Sequence, residues 1–154
     1  MSEREAYVRL LKEWAPKLRL EITDMDHVIK NCKLIGEDKV EVGVYAQLYA
    51  TILSARHSEI NRELIFIASK AMGEVIHTAL SQPDRCHDIH AMFRDEVVKE
   101  YKNGRIIKQA VDDLFIQGGE IFIQVASVFF GIDQSPMRNT GYDSIDAALK
   151  KQLH

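Results

Sequence analysis

The residues of this chain best suited to chemistry are its six histidines. Imidazole is the commonest metal ligand and the usual general base near neutral pH. His87-Asp88 places an imidazole and a carboxylate on adjacent helical positions, where both can be aimed at one divalent metal if the helix end opens on a cleft. Such a metal lowers the pKa of bound water and orients a phosphate. A second arrangement pairs Glu74-x-x-His77 with His87-x-x-His90. Residues three apart share a helix face, and a turn at Pro83 would bring the two pairs together. Di-iron bundles need two Glu-x-x-His pairs and two further glutamates; one such pair is present, and Asp24-x-x-His27 is a poor substitute. Isolated histidines in helical proteins are mostly surface or hydrogen-bonded core residues, and that is the preferred reading of the set.

His57 lies 30 residues before His87. His57-Ser58, followed by the apolar Ile60, Leu64, Ile65, Ile67 and Ala68 and then by His87-Asp88-Ile89, resembles the first part of the HD-domain phosphohydrolases, an all-helical family. The resemblance covers about a third of the chain. It implies His57, His87 and Asp88 as metal ligands, with a later aspartate completing the set from among Asp112, Asp113, Asp133 and Asp143. The divalent ion would be manganese, iron, zinc or nickel. One departure is Pro83-Asp84-Arg85-Cys86, which stands just before the pair where the family has an apolar helical run.

Other chemistries find fewer supports. Lys99, Lys102, Arg105 and Lys108 recur every three residues, but Asp95, Glu96, Glu100, Asp112 and Asp113 flank them, so a solvated charged face is expected rather than a nucleic-acid interface. No Gly-x-x-x-x-Gly-Lys phosphate loop or Gly-x-Ser-x-Gly elbow occurs. Cys32 and Cys86 form neither a zinc knuckle nor a disulfide framework, and point to a reducing, cytoplasmic setting. The net charge of −3 supplies no general attraction to nucleic acid or anionic membranes. The N-terminal Met1-Ser2-Glu3-Arg4-Glu5 lacks the apolar run of a signal peptide.

The elements that must position these residues are helices. The longest apolar-periodic stretch runs from Val44 to Leu80, with Leu48, Ile52, Leu64, Met72 and Ile76 among the repeats. It is one very long helix or two, and a break at Arg56-His57-Ser58 is favoured because globular helices seldom exceed about 25 residues. Ser2 caps a first helix striped by Tyr7, Leu10, Leu11 and Trp14, and Pro16 ends or restarts it. Leu18, Ile22, Met25, Val28, Ile29, Cys32 and Ile35 fit a second helix up to Gly36. A hairpin of residues 17–23 with 40–44 is the competing reading, because both segments also alternate. Later helices are expected over Ile89–Tyr101, Ile106–Phe115 and Glu120–Phe130, and Asp143 or Ser144 caps a short last one. The run Ile121–Ile132 is too short to span a bilayer, and no membrane association is expected.

The fold class expected is all-α: one bundle of six or seven helices over residues 1–132, followed by a loop and short C-terminal helix over 133–154. Ala46, Ala50 and Ser54 lie four apart and mark a strip where another backbone approaches, either within the monomer or across a self-association seam. The function expected is a non-catalytic interaction or assembly module, self-associating and without a cofactor, that scaffolds or regulates another macromolecule. A protein partner or a second copy is expected; nucleic acid is not. The metal-dependent phosphohydrolase is the alternative.

Overall fold

A computed structural model describes residues 2–37, 39–56, 62–82, 89–104 and 119–130, together with 109 and 114. Among them, every regular element is helical: α1 (Glu3–Trp14), a 3-10 turn (Pro16–Leu18), α2 (Met25–Gly36), α3 (Val40–Arg56), α4 (Arg62–Ser81), α5 (Ile89–Lys102) and α6 (Gly119–Phe130). The all-α expectation holds. The hairpin alternative does not, since residues 40–44 open α3 and 16–18 form the 3-10 turn.

Local signals explain most boundaries. The Ser2 hydroxyl accepts a hydrogen bond from the Glu5 N–H at 3.2 Å and so satisfies one of the orphan donors of α1. Helix α2 starts later than the periodicity suggests. Arg19 adopts a left-handed conformation (φ 60°) that closes the 3-10 turn, its N–H donating to the Pro16 carbonyl at 3.0 Å. The chain then stays irregular until Asp24, whose carboxylate accepts from the His27 N–H at 3.1 Å. The helix expected over 17–23 is therefore replaced by a turn and a linker, because a proline at one end and a strong N-cap at the other reset the backbone between them. Gly104 (φ 75°) follows the last turn of α5, in the left-handed conformation that glycine adopts without strain at a helix end.

Helix α3 is the centre of the molecule. Five consecutive residues, Val42 to Ala46, are buried, so it is covered on all sides rather than along one stripe. It packs against α1, α2, α4 and α6. The stretch 44–80 is two antiparallel helices, because Gly73 of α4 lies against Val42 and Ala46 of α3. A β-carbon on Gly73 would stand 2.5 Å from the Val42 carbonyl oxygen and 3.0 Å from the Ala46 methyl. On the other side, Gly43 of α3 meets the α2 backbone directly: its β-carbon would collide with the Cys32 carbonyl oxygen, and one on Gly36 would lie 2.6 Å from the Gly43 Cα. Three glycines thus let three helices cross at backbone contact.

Two aromatic clusters lie one turn apart along α3, built around Tyr45 and Tyr49. Trp14 and Phe129 stack with centroids 4.3 Å apart, and Tyr45 meets Phe129 edge-on at 5.0 Å. Tyr49, Phe93 and Phe122 form the second cluster, at 6.1 and 5.0 Å. Buried residues such as Leu53, Met72 and Ile76 each contribute roughly 1.5–3 kcal/mol by leaving water.

Candidate functional site

Helix α4 has two unlike sides. One lies tightly on α3; the other faces α5 across an open groove of about 590 Å³. Its floor is apolar: Ile67, Ala71 and Val75, spaced four apart on α4, are buried, and half-buried Met92 faces them from α5. Phe66 stands at the edge with 43% of its surface exposed, one of few large apolar side chains so exposed among the described residues. No glycine is among the residues that line the groove, in contrast to Gly73 at the α3–α4 crossing.

The rim is charged in zones. Helix α4 contributes Lys70 and Glu74, and α5 contributes Asp95, Glu96, Lys99 and Glu100. Two rim residues tie the groove to the α2–α3 junction: Lys70 donates to Glu37 at 2.9 Å, and Lys39 to Glu74 at 3.4 Å. The Glu37 carboxyl is held below its ordinary pKa of 4.5, chiefly by the hydrogen bond and charge of Lys70. Arg94 pairs with neighbouring Asp95 at 3.2 Å.

The sequence-predicted metal residues divide into two groups. His57, His87 and Asp88 of the HD-like set lie outside the described residues, as do Asp112, Asp113, Asp133, Asp143, Cys86 and the side chain of His90. Of the rest, Asp24 is engaged as the N-cap of α2, and His27 Nε2 lies 3.5 Å from the Asn31 amide. Glu74 is paired with Lys39, while His77 is half-buried on the same helix. Among the described residues no group of three or more metal-ligating side chains converges.

The small-residue strip is split. Ala46 is fully buried in the crossing with Gly73, and Ala50 is nearly so, whereas Ser54 is exposed near the end of α3. Ser69 lies one turn before Gly73 on α4. Its hydroxyl is fully buried and finds no hydrogen-bond partner. Of the two readings of the strip, packing within the monomer is where the structure places Ala46.

Lys99 lies on the groove rim beside Glu96 and Glu100, and Lys102 is exposed; Arg105 and Lys108 lie outside the described residues. The cysteine thiol of Cys32 is buried, which pushes its pKa up from 9.0 to about 12, and Tyr45 rises to about 12 for the same reason, with Glu41 and Glu13 adding to it. These are core groups rather than reactive ones. Helix α4 is long and apolar enough to cross a membrane, but more than half of that stretch is buried inside the bundle, which accounts for its hydropathy.

Sequence reasoning missed the groove because neither of its walls is unusual alone. The one signal available was Phe66, an aromatic residue on the flank of the α4 stripe where a polar residue would be ordinary. Comparison of the chain with known protein families, curated proteins and solved structures finds no match. The likeness to HD-domain phosphohydrolases therefore gains no support there.

Proposed function

We propose that the protein is a non-catalytic helical interaction module that receives an amphipathic polypeptide segment in the groove between α4 and α5, and so scaffolds or regulates its partner in the cytoplasm. The observation that carries this reading is the groove itself: an apolar floor of Ile67, Ala71 and Val75, a half-exposed Phe66 at its lip and charged side chains on both rims. Helix-in-groove recognition needs these features, because apolar anchors at helical spacing supply the affinity and rim charges set the register.

The test is a titration with fluorescently labelled helical peptides that carry a leucine ladder on one face and charges on the other. Saturable binding that weakens at least tenfold in Phe66→Asp, with an unchanged circular dichroism spectrum, is expected. Equal binding by Phe66→Asp, or no saturable binding to any form of the chain with an intact groove, overturns the reading.

A further inference from the structure

We infer that the segment this groove receives is a cationic amphipathic helix, with Lys or Arg side chains four residues apart on the flank that meets Glu96 and Glu100 of α5. The inference rests on the groove reading above and adds the charge and spacing that the partner must carry.

The floor fixes the partner's apolar side. Ile67, Ala71 and Val75 are buried and lie four residues apart on α4, so a helix laid along them presents its own apolar residues at intervals of three and four. That ladder alone does not choose between partners, since every amphipathic helix has one.

The walls make the choice. Four carboxylates and two ammonium groups line the groove. On the α4 side the α2–α3 junction matches the charge: Lys70 donates to Glu37 at 2.9 Å, and Lys39 to Glu74 at 3.4 Å. On the α5 side Met92, Glu96 and Glu100 succeed one another every four residues, and all three are half-buried. Asp95 and Lys99 are exposed, and Asp95 is paired with Arg94 at 3.2 Å. The edge of α5 nearest the floor is therefore a thioether followed by two carboxylates, about 6 Å apart along the helix axis.

Covering that edge costs unlike amounts for unlike guests. A helix seated on the floor takes water away from Glu96 and Glu100. Carboxylates that lose water without gaining a cation are penalised, and an acidic flank adds repulsion. Lysine or arginine at the same four-residue spacing replaces the lost water with charge-assisted hydrogen bonds. The wall thus favours basic helices, and its discrimination comes from the penalty on wrong guests as much as from attraction to right ones.

The experiment uses the full chain and two fluorescein-labelled peptides that share one leucine ladder, one carrying lysines four apart on both flanks and the other glutamates at the same positions. Wild type should bind the lysine peptide at least tenfold more tightly at low salt, and the ratio should shrink as salt is added. Glu96→Lys combined with Glu100→Lys should invert the preference. Glu96→Gln combined with Glu100→Gln, which keeps the side-chain shape, should cut it below threefold and serves as the test should the lysine variant fail to fold. Equal or tighter binding of the glutamate peptide by wild type overturns the inference, as does an undiminished preference in the glutamine variant. A lysine peptide of the same composition with its leucines scrambled should bind at least tenfold more weakly; equal binding would reveal diffuse attraction of polycations and overturn it as well. Phe66→Ser, which removes the apolar lip without adding charge, separates the two readings. If both ladder peptides bind wild type equally and both weaken in Phe66→Ser, the groove reading stands and the charge inference falls. If neither peptide binds any of these proteins, both fall.

Discussion

Helix α4 presents the same kind of apolar surface on two sides and meets its neighbours in opposite ways. Toward α3, Gly73 and Ala46 remove side-chain bulk, so the helices pack backbone to backbone. Toward α5, Phe66, Ile67, Val75 and Met92 line about 590 Å³ of open space. Close packing without voids stabilises and admits nothing further. A cleft between bulky side chains gives up some of those contacts and can admit a guest. The contrast separates where this molecule keeps its stability from where it can bind.

The sharpest way to break the comparison is to put bulk into the tight side. Gly43→Ala places a methyl group against the Cys32 carbonyl oxygen. Alanine returns about 1 kcal/mol of helix propensity, but overpacking at backbone contact should leave a net loss of roughly 2–3 kcal/mol, read as a fall in Tm of roughly 4–12 °C. A neutral result would show that the α2–α3 crossing can widen.

Alkaline pH strains the same crossing. Burial pushes the Cys32 thiol up from its ordinary 9.0 to about 12 on folding. A raised folded pKa means that stability is intact below pH 9 and is lost as pH rises toward 12, because the unfolded state releases the proton first. At pH 10 the thiol alone should cost about 1.4 kcal/mol. Denaturant melts of wild type and Cys32→Ala at pH 7 and 10 check this: the variant should lose less stability over that interval, and equal losses would contradict it.

Ser69→Ala should move stability the other way. Its hydroxyl is buried without a partner, an arrangement that costs roughly 1–3 kcal/mol, and alanine keeps the small volume the crossing needs. A rise of about 1 kcal/mol in unfolding free energy is expected; a fall would reveal a hydrogen bond in solution.

On the open side, substitutions should affect binding and spare the fold. Phe66→Ala should cost less than about 1.5 kcal/mol, well short of the 3–5 typical of a buried phenylalanine, since 43% of the side chain is already exposed. A larger loss in a urea melt would mean that Phe66 is core and the groove is closed. The smallest effect expected is at the rim. Glu37 has a depressed pKa through Lys70, so the pair's contribution is present above the unfolded carboxylate pKa and is lost as pH falls through the folded value. Lys70→Met should flatten that part of the acid stability profile at low salt, and an unchanged slope would show that the ion pair is not formed.

Much of the secondary structure was legible residue by residue. Ser2 is a cap whose hydroxyl accepts from the N–H three positions on, as its place before the first apolar stripe suggested. The doubled nature of the 44–80 stretch was likewise readable from its length. Helix α2 shows the limit, because periodicity continued through 17–23 while Pro16 and Asp24 reset the backbone. Gly36 was legible as a helix end, yet the left-handed residue is Glu37 (φ 54°) and Gly36 itself makes room for Gly43. The groove was not legible, since Lys99 and Glu96 read alone as a solvated face.

The sequence by itself determined that this chain is helical and, in large part, where its helices start and stop, because caps, breakers and the 3.6-residue period act over a few residues. Only the tertiary structure decided which side of α4 would close and which would stay open. That choice depends on which side chains from distant parts of the chain face one another: Gly73 against Ala46, 27 residues earlier, and Val75 against the α5 helix that follows the next turn.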